Sequence, residues 1–110
     1  FHKFAGREFE DKRPRDRYAS ESKRLLGVLE SRLASHTWIM GDEYSIADIA
    51  TWPWVRIYDW SGISIEGLPH LQAWMARMEA KPACQKGITI PPRNESPEDQ
   101  VKRAQQMVTR

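Results

Sequence analysis

The sequence predicts an all-α domain built round a buried, capped central helix, and three observations carry that prediction. Apolar residues recur at helical spacing through two stretches, Tyr18 to Leu33 and Leu71 to Met78. Between them, Ser45 and Asp48 have the spacing of a capping box. That box heads a run, Ile46 to Trp60, which is apolar on nearly every face and so reads as a buried helix. Its β-branched and aromatic residues would also suit a strand, but its length and its cap select the helix.

The 110 residues make one domain with room for a single core. At 40% hydrophobic and 29% charged, the composition is that of an ordinary soluble protein, with an unusual number of tryptophans, five, to fill its interior. A net charge of +2 is too small to call for nucleic acid or a membrane surface as partner. Cys84 is the only cysteine, which excludes an internal disulfide, a CxxC pair and a cysteine-rich metal site and fits a reducing, cytoplasmic compartment. No apolar run approaches the roughly 20 residues of a membrane span. The chain opens on Phe1-His2-Lys3-Phe4, with neither an initiator Met nor a signal peptide, and reads as a fragment of something longer.

Residues 1–14 show no sustained period; charges of alternating sign surround Phe1, Phe4 and Phe9, and Pro14 closes the stretch. Residues 15–35 are predicted helical, with Tyr18, Leu25, Leu29 and Leu33 on one stripe and Leu26 and Val28 widening it. Ser35-His36-Thr37 breaks the pattern, and Trp38-Ile39-Met40 forms an apolar plug ahead of Gly41-Asp42. In the next helix Ser45 and Asp48 exchange hydrogen bonds with each other's backbone, and Tyr44 and Ile49 stand at the two positions of a hydrophobic staple. Pro53 removes one donor from its interior, and Ser61-Gly62 ends it. Pro69 suits the first turn of the following helix, whose apolar residues Leu71, Trp74, Met75 and Met78 fall at i, i+3, i+4 and i+7. Lys81-Pro82 stops that helix, leaving Cys84 in an irregular stretch. Ser96-Pro97-Glu98-Asp99 reads as a second capping box, opening a polar helix to about Val108.

Few residues have the pattern of a chemical site. Asp48, a carboxylate in an apolar run, is accounted for by its cap. His2, His36 and His70 lie in three separate segments without metal-ligand spacing, so no metal is expected. Cys84 has no fixed base near it in sequence. Trp52, Trp54, Trp60 and Trp74 have the spacing of core aromatics, with one edge free to line a cleft. Arg17 stands beside Tyr18 at the start of a helix; its guanidinium suits bidentate binding of a carboxylate, and a surface ion pair with Asp16 or Glu21 is the competing reading.

The phrase Gly41-Asp42-Glu43-Tyr44-Ser45-Ile46-Ala47-Asp48-Ile49-Ala50-Thr51-Trp52-Pro53-Trp54 closely resembles the sixth-helix region of glutathione transferases. Its Ala-Thr-Trp-Pro-Trp ending is similar to the bacterial nu-class enzymes and the related fungal branch, which includes a nitrogen regulator. Asp16-Arg17-Tyr18, Lys23-Arg24-Leu25-Leu26-Gly27-Val28-Leu29, Leu68-Pro69-His70-Leu71-Gln72-Ala73-Trp74 and Lys81-Pro82-Ala83 agree in order. The resemblance is good over residues 15–84 and loose at both ends. It implies that residues 1–110 are the C-terminal helical domain of such an enzyme, without the N-terminal thioredoxin-like domain that activates the thiol and makes most glutathione contacts. It further implies glutathione as co-substrate, a small electrophile, disulfide or peroxide as second substrate, and a homodimer.

On that resemblance Arg17 contributes to the glutathione site, with Asp16 where relatives carry glutamate, while Phe1, His2 and Phe4 are weaker candidates for lining the cleft. The charged stretch Glu10-Asp11-Lys12-Arg13-Pro14-Arg15 departs from the family's usual phrase before Arg-Tyr, so the approach to Arg17 differs. Two other readings stay open at this point. One is a transferase-like docking module without catalysis, and the other is a non-catalytic regulator derived from the enzyme.

Overall fold

The computed structural model describes residues 11–92 together with residues 96, 98, 99, 102 and 106. Within residues 11–92 four helices follow one another: α1 (Arg13–Leu33), α2 (Ile46–Val55), α3 (Pro69–Glu79) and α4 (Pro82–Gly87). Among the described residues the only strand-like pairing is the bridge between Trp38 and Gly41. α1 packs chiefly along α3, and α2 and α4 also rest on α3, which makes α3 the shared element.

α1 begins two residues earlier than the helix predicted from residue 15. Pro14, expected to close the preceding stretch, sits instead in the first turn, where no helical partner awaits its missing N–H. Leu26 and Leu33, seven residues apart, are its buried anchors, with Ala19 and Leu29 packed beside them. Arg32 in the last turn donates through Nε to the carbonyl of Ile39 at 2.9 Å, tying the helix end to the following loop.

The capping box of α2 forms. The Ser45 hydroxyl oxygen accepts from the Ala47 amide at 3.2 Å, and the Asp48 carboxylate accepts from the Ser45 amide at 3.1 Å. Asp48 does more than cap. It is 0% exposed, and its Oδ1 accepts from the Ile39 amide at 3.1 Å and from the Trp74 indole N–H at 2.8 Å. The Ser45 hydroxyl donates to Oδ2 at 3.3 Å. One buried carboxylate therefore joins the 38–41 turn, the head of α2 and the middle of α3.

Burial of α2 is one-sided. Asp48, Trp52 and Val55 are buried, whereas Ile46 is 82% exposed, Trp54 is 77% exposed and Ile49 is half exposed. Two residues turn a helix by about 200°, so Trp54 points away from the face that carries Trp52. Trp60, also expected in the core, is 45% exposed. Tyr44, expected to staple to Ile49, packs edge-on against Trp38 with ring centroids 5.1 Å apart.

The α-helix stops at Val55 rather than continuing to Trp60. The amide of Tyr58 turns to the carbonyl of Val55 at 3.1 Å, an i→i−3 bond that tightens the chain. The turns that follow end in a Schellman motif: Ile63 N donates to Tyr58 O at 3.0 Å and Gly62 N to Asp59 O at 2.9 Å. Gly62 has φ 73°, the left-handed conformation that the motif requires, and Ile63 beyond it is buried.

α3 supplies the centre of the core through Leu71, Trp74, Met75 and Met78. Its N-cap, Leu68, has no side-chain acceptor. The need is met from α1, where the Glu30 carboxylate accepts from the amides of His70 at 3.2 Å and Leu71 at 2.7 Å. Pro82 opens α4 as well as ending the previous element, so Cys84 lies in a short helix rather than an irregular stretch. At the far end, the Ser96 hydroxyl donates to Asp99 at 2.7 Å and accepts from its amide at 3.2 Å. Residues 98, 99, 102 and 106 are helical, and the rest of the helix expected to Val108 lies outside the described residues.

Four accepted hydrogen bonds at one buried carboxylate predict unequal costs for the two halves of the capping box. In urea denaturation, Ser45→Ala is expected to cost about 1 kcal/mol. Asp48→Ala, which strands buried donors on three segments, is expected to cost about 3 kcal/mol or more. Equal losses would reduce Asp48 to a local cap.

Candidate functional site

Arg17, the binding residue that the sequence suggests, lies on the outer side of α1. Arg17 lies nine residues from the buried Leu26, which is two and a half turns at 3.6 residues per turn, and so points away from the core. Its neighbours on that side divide into ion pairs and exposed apolar groups. Arg24 makes a bidentate pair with Glu21, Nε to Oε2 at 2.8 Å and Nη2 to Oε1 at 2.7 Å. Arg13 grips Asp11 in the same way, with its shortest bond at 2.8 Å. Tyr18, Leu25 and Val28 are exposed on the same helix.

Arg17 belongs to neither ion pair. The hydrogen bond from Arg24 chiefly holds the Glu21 carboxyl below its ordinary pKa, and the charge of Arg17 is the smallest contributor to that shift. The surface ion pair that competed for Arg17 on sequence grounds does not form: Glu21 is taken by Arg24, and the ion pairs among the described residues do not include Asp16. What α1 presents is a guanidinium without a carboxylate partner among the described residues, beside an exposed phenol ring. Such a group can hold a carboxylate through two parallel hydrogen bonds. Phe1, His2 and Phe4 lie outside the described residues.

The other sequence candidates have structural surroundings. His36 Nδ1 lies 2.8 Å from the Ser35 hydroxyl and 3.2 Å from the Arg32 carbonyl. The amide of His70 is bonded to Glu30. Among the described residues no group of His, Cys, Asp and Glu is arranged to hold a metal ion, and no helix is long and apolar enough to cross a membrane.

Cys84 is half-buried beside Tyr44. Burial, then the charge of Cys84 and a hydrogen bond with it, and finally the charge of Asp48 push the Tyr44 phenol above its usual value. The Lys81 ammonium lies 3.8 Å from the centroid of the Tyr44 ring.

Residues 2–82 match the family model of the glutathione S-transferase C-terminal domain. The chain belongs to that family. Over 68 residues it is 41% identical to the disulfide-bond oxidoreductase YfcG of Escherichia coli (strain K12), covering 62% of this chain and 32% of the relative. The disulfide-bond oxidoreductase YghU of the same organism is 38% identical over 82 residues, covering 68% of this chain and 28% of the relative. Among solved structures, a glutathione transferase from Burkholderia graminis with two glutathione molecules bound per subunit superposes with a TM-score of 0.77 at 54% identity, over 84% of this chain and 41% of that one. A glutathione transferase from Pseudomonas putida with one glutathione disulfide bound per subunit gives 0.71 at 49% identity, over 83% of this chain and 41% of that one. The chain thus spans about a third of the length of these relatives and about two fifths of the solved structures.

Sequence reasoning missed Glu30, whose partners lie 40 and 41 residues away. The available signal was the absence of an N-cap side chain at Leu68, a need without an address.

The raised Tyr44 phenol has a measurable consequence. Its ordinary value is 10.0, and its value in the folded protein is higher, so folding opposes its ionisation. Stability is expected to fall as pH rises above about 10, where the unfolded chain begins to release this proton. Ultraviolet titration should give one late-ionising tyrosine that moves back toward the ordinary value in Cys84→Ala. An unmoved midpoint would contradict the placement of the thiol against the phenol.

Proposed function

We propose that this chain is the C-terminal helical part of a glutathione-dependent enzyme of the nu or fungal type, and that Arg17 binds a carboxylate of glutathione. The observation that carries the reading is the guanidinium on the outer face of α1, unpaired among the described residues, in a chain whose solved relatives hold glutathione or its disulfide. Glutathione offers two carboxylates, and a bidentate arginine fixes orientation as well as charge. In this reading an upstream thioredoxin-like domain activates the thiol, and the helical part forms one wall of the cleft.

The chemistry is attack by the glutathione thiolate: on a small electrophile to form a thioether, on one sulfur of a disulfide so that the S–S bond breaks and the other sulfur leaves as a thiolate, or on a peroxide oxygen so that the O–O bond breaks and an alkoxide or hydroxide leaves. The names of the two Escherichia coli relatives favour disulfide reduction. The full protein in this reading is a cytoplasmic homodimer. The apolar outer face of α2, with Ile46, Ile49 and Trp54, is a surface for upstream chain to cover.

Two outcomes are expected. With this chain joined to its upstream sequence, Arg17→Ala should weaken glutathione binding about tenfold by calorimetry, the scale of a lost charged hydrogen-bond pair; Arg17→Lys should recover part of it. Unchanged affinity would contradict the assigned role. Separately, the chain alone should self-associate in ultracentrifugation through its exposed apolar face, and Ile46→Ser with Trp54→Ser should reduce that without lowering thermal stability. A compact monomer at high concentration would count against it.

A further inference from the structure

Away from Arg17, a cleft of ≈ 310 Å³ lies between the turns that follow α2 and the flank of α3. Arg56, Asp59 and Ile65 line it from the turns, and Gln72, Met75 and Glu79 line it from α3. The last three fall at i, i+3 and i+7, so they share one side of the helix. Several of these groups are held in place. The Arg56 guanidinium lies over the Trp52 ring, 5.4 Å from its centroid. Gln72 donates through Nε2 to the Ile65 carbonyl at 2.8 Å, clamping the loop to the helix, and the Asp59 carboxylate accepts from the Trp60 amide at 2.7 Å.

Three charged side chains of opposite sign line one small cleft, and none pairs with another: the ion pairs among the described residues are those of Arg13 and Arg24. One cationic and two anionic side chains thus share the cleft with the apolar side chains of Ile65 and Met75. The volume sits at the low end of the range for small-molecule sites, roughly 300–1,000 Å³, which suits a ligand of amino-acid size. The three side chains carry one positive and two negative charges. Their complement carries one carboxylate and two ammonium groups, joined by a short aliphatic stem.

We propose that this cleft binds a basic amino acid of the lysine or ornithine class. Its carboxylate faces Arg56, its two ammonium groups face Asp59 and Glu79, and its stem lies on Ile65 and Met75. The site is separate from the glutathione reading and does not depend on it. Because the charges are solvent-accessible, binding is weak, with a dissociation constant of about a millimolar.

The test is a heteronuclear magnetic-resonance titration of the full chain with L-lysine. Saturable shifts are expected at residues 56–65 and 72–79, with binding about fivefold weaker for L-norleucine, which lacks the second ammonium, and for cadaverine, which lacks the carboxylate. Arg56→Gln, at a half-buried position, and Asp59→Asn, at an exposed one, should each weaken lysine about fivefold while leaving the shifts of the core residues Leu71 and Met78 in place. Shifts that do not saturate would overturn the proposal. So would equal affinity for norleucine or cadaverine, or lysine binding untouched in both variants.

Discussion

The constraint on which the rest of the structure depends is the burial of the Asp48 carboxylate. A carboxylate removed from water is costly unless its oxygens are fully hydrogen-bonded, and here the donors come from three places: Ile39 in the turn, Ser45 at the head of α2, and the Trp74 indole on α3. Each donor is in place only when its own segment is in place. The carboxylate is therefore satisfied in one arrangement of the chain, and the apolar packing of Leu71, Trp74 and Met78 is assembled in that same arrangement. Packing supplies the driving force; the carboxylate selects which packing forms.

Glu30 repeats the logic at longer range. Both carboxylates sit at helix N-termini, where backbone N–H groups lack partners and negative charge is favoured. Asp48 serves its own helix, whereas Glu30 serves a helix 40 residues on. Between them they fix α3 against α1 and against α2. The inner face of α1 is thereby committed to the core, and its outer face carries Arg17. A guanidinium on a helix loses less freedom on binding than one on a loop.

Local features of the fold were legible in the sequence. The period of α3, most of α1 and the capping box all depend on residues within a turn or two of one another. Features that need a partner were not. An all-round apolar pattern in α2 identifies a helix with two sticky faces, but it does not say which face this chain itself covers, so Trp54 and Trp60 were expected inside. The role of Glu30 and the meeting of Arg56 with Glu79 in one cleft arise from tertiary approach and leave no spacing to read. Arg17 falls between these cases. Its outward direction follows from its distance to Leu26, and its lack of a partner appears only once Glu21 is seen to choose Arg24. Membership of the family was carried by the residues round the cap, which hold the fold together, while the proposed ligand contact lies on another helix.

The most direct test of this account is native-state hydrogen exchange at three donors to Asp48: the amides of Ile39 and Ser45 and the indole N–H of Trp74. If one buried carboxylate couples the three segments, these hydrogens should exchange through a shared opening, with the same free energy and the same denaturant dependence, close to those of global unfolding. Exchange of the Ile39 and Ser45 amides through separate low-energy openings, with the Trp74 indole still protected, would contradict it.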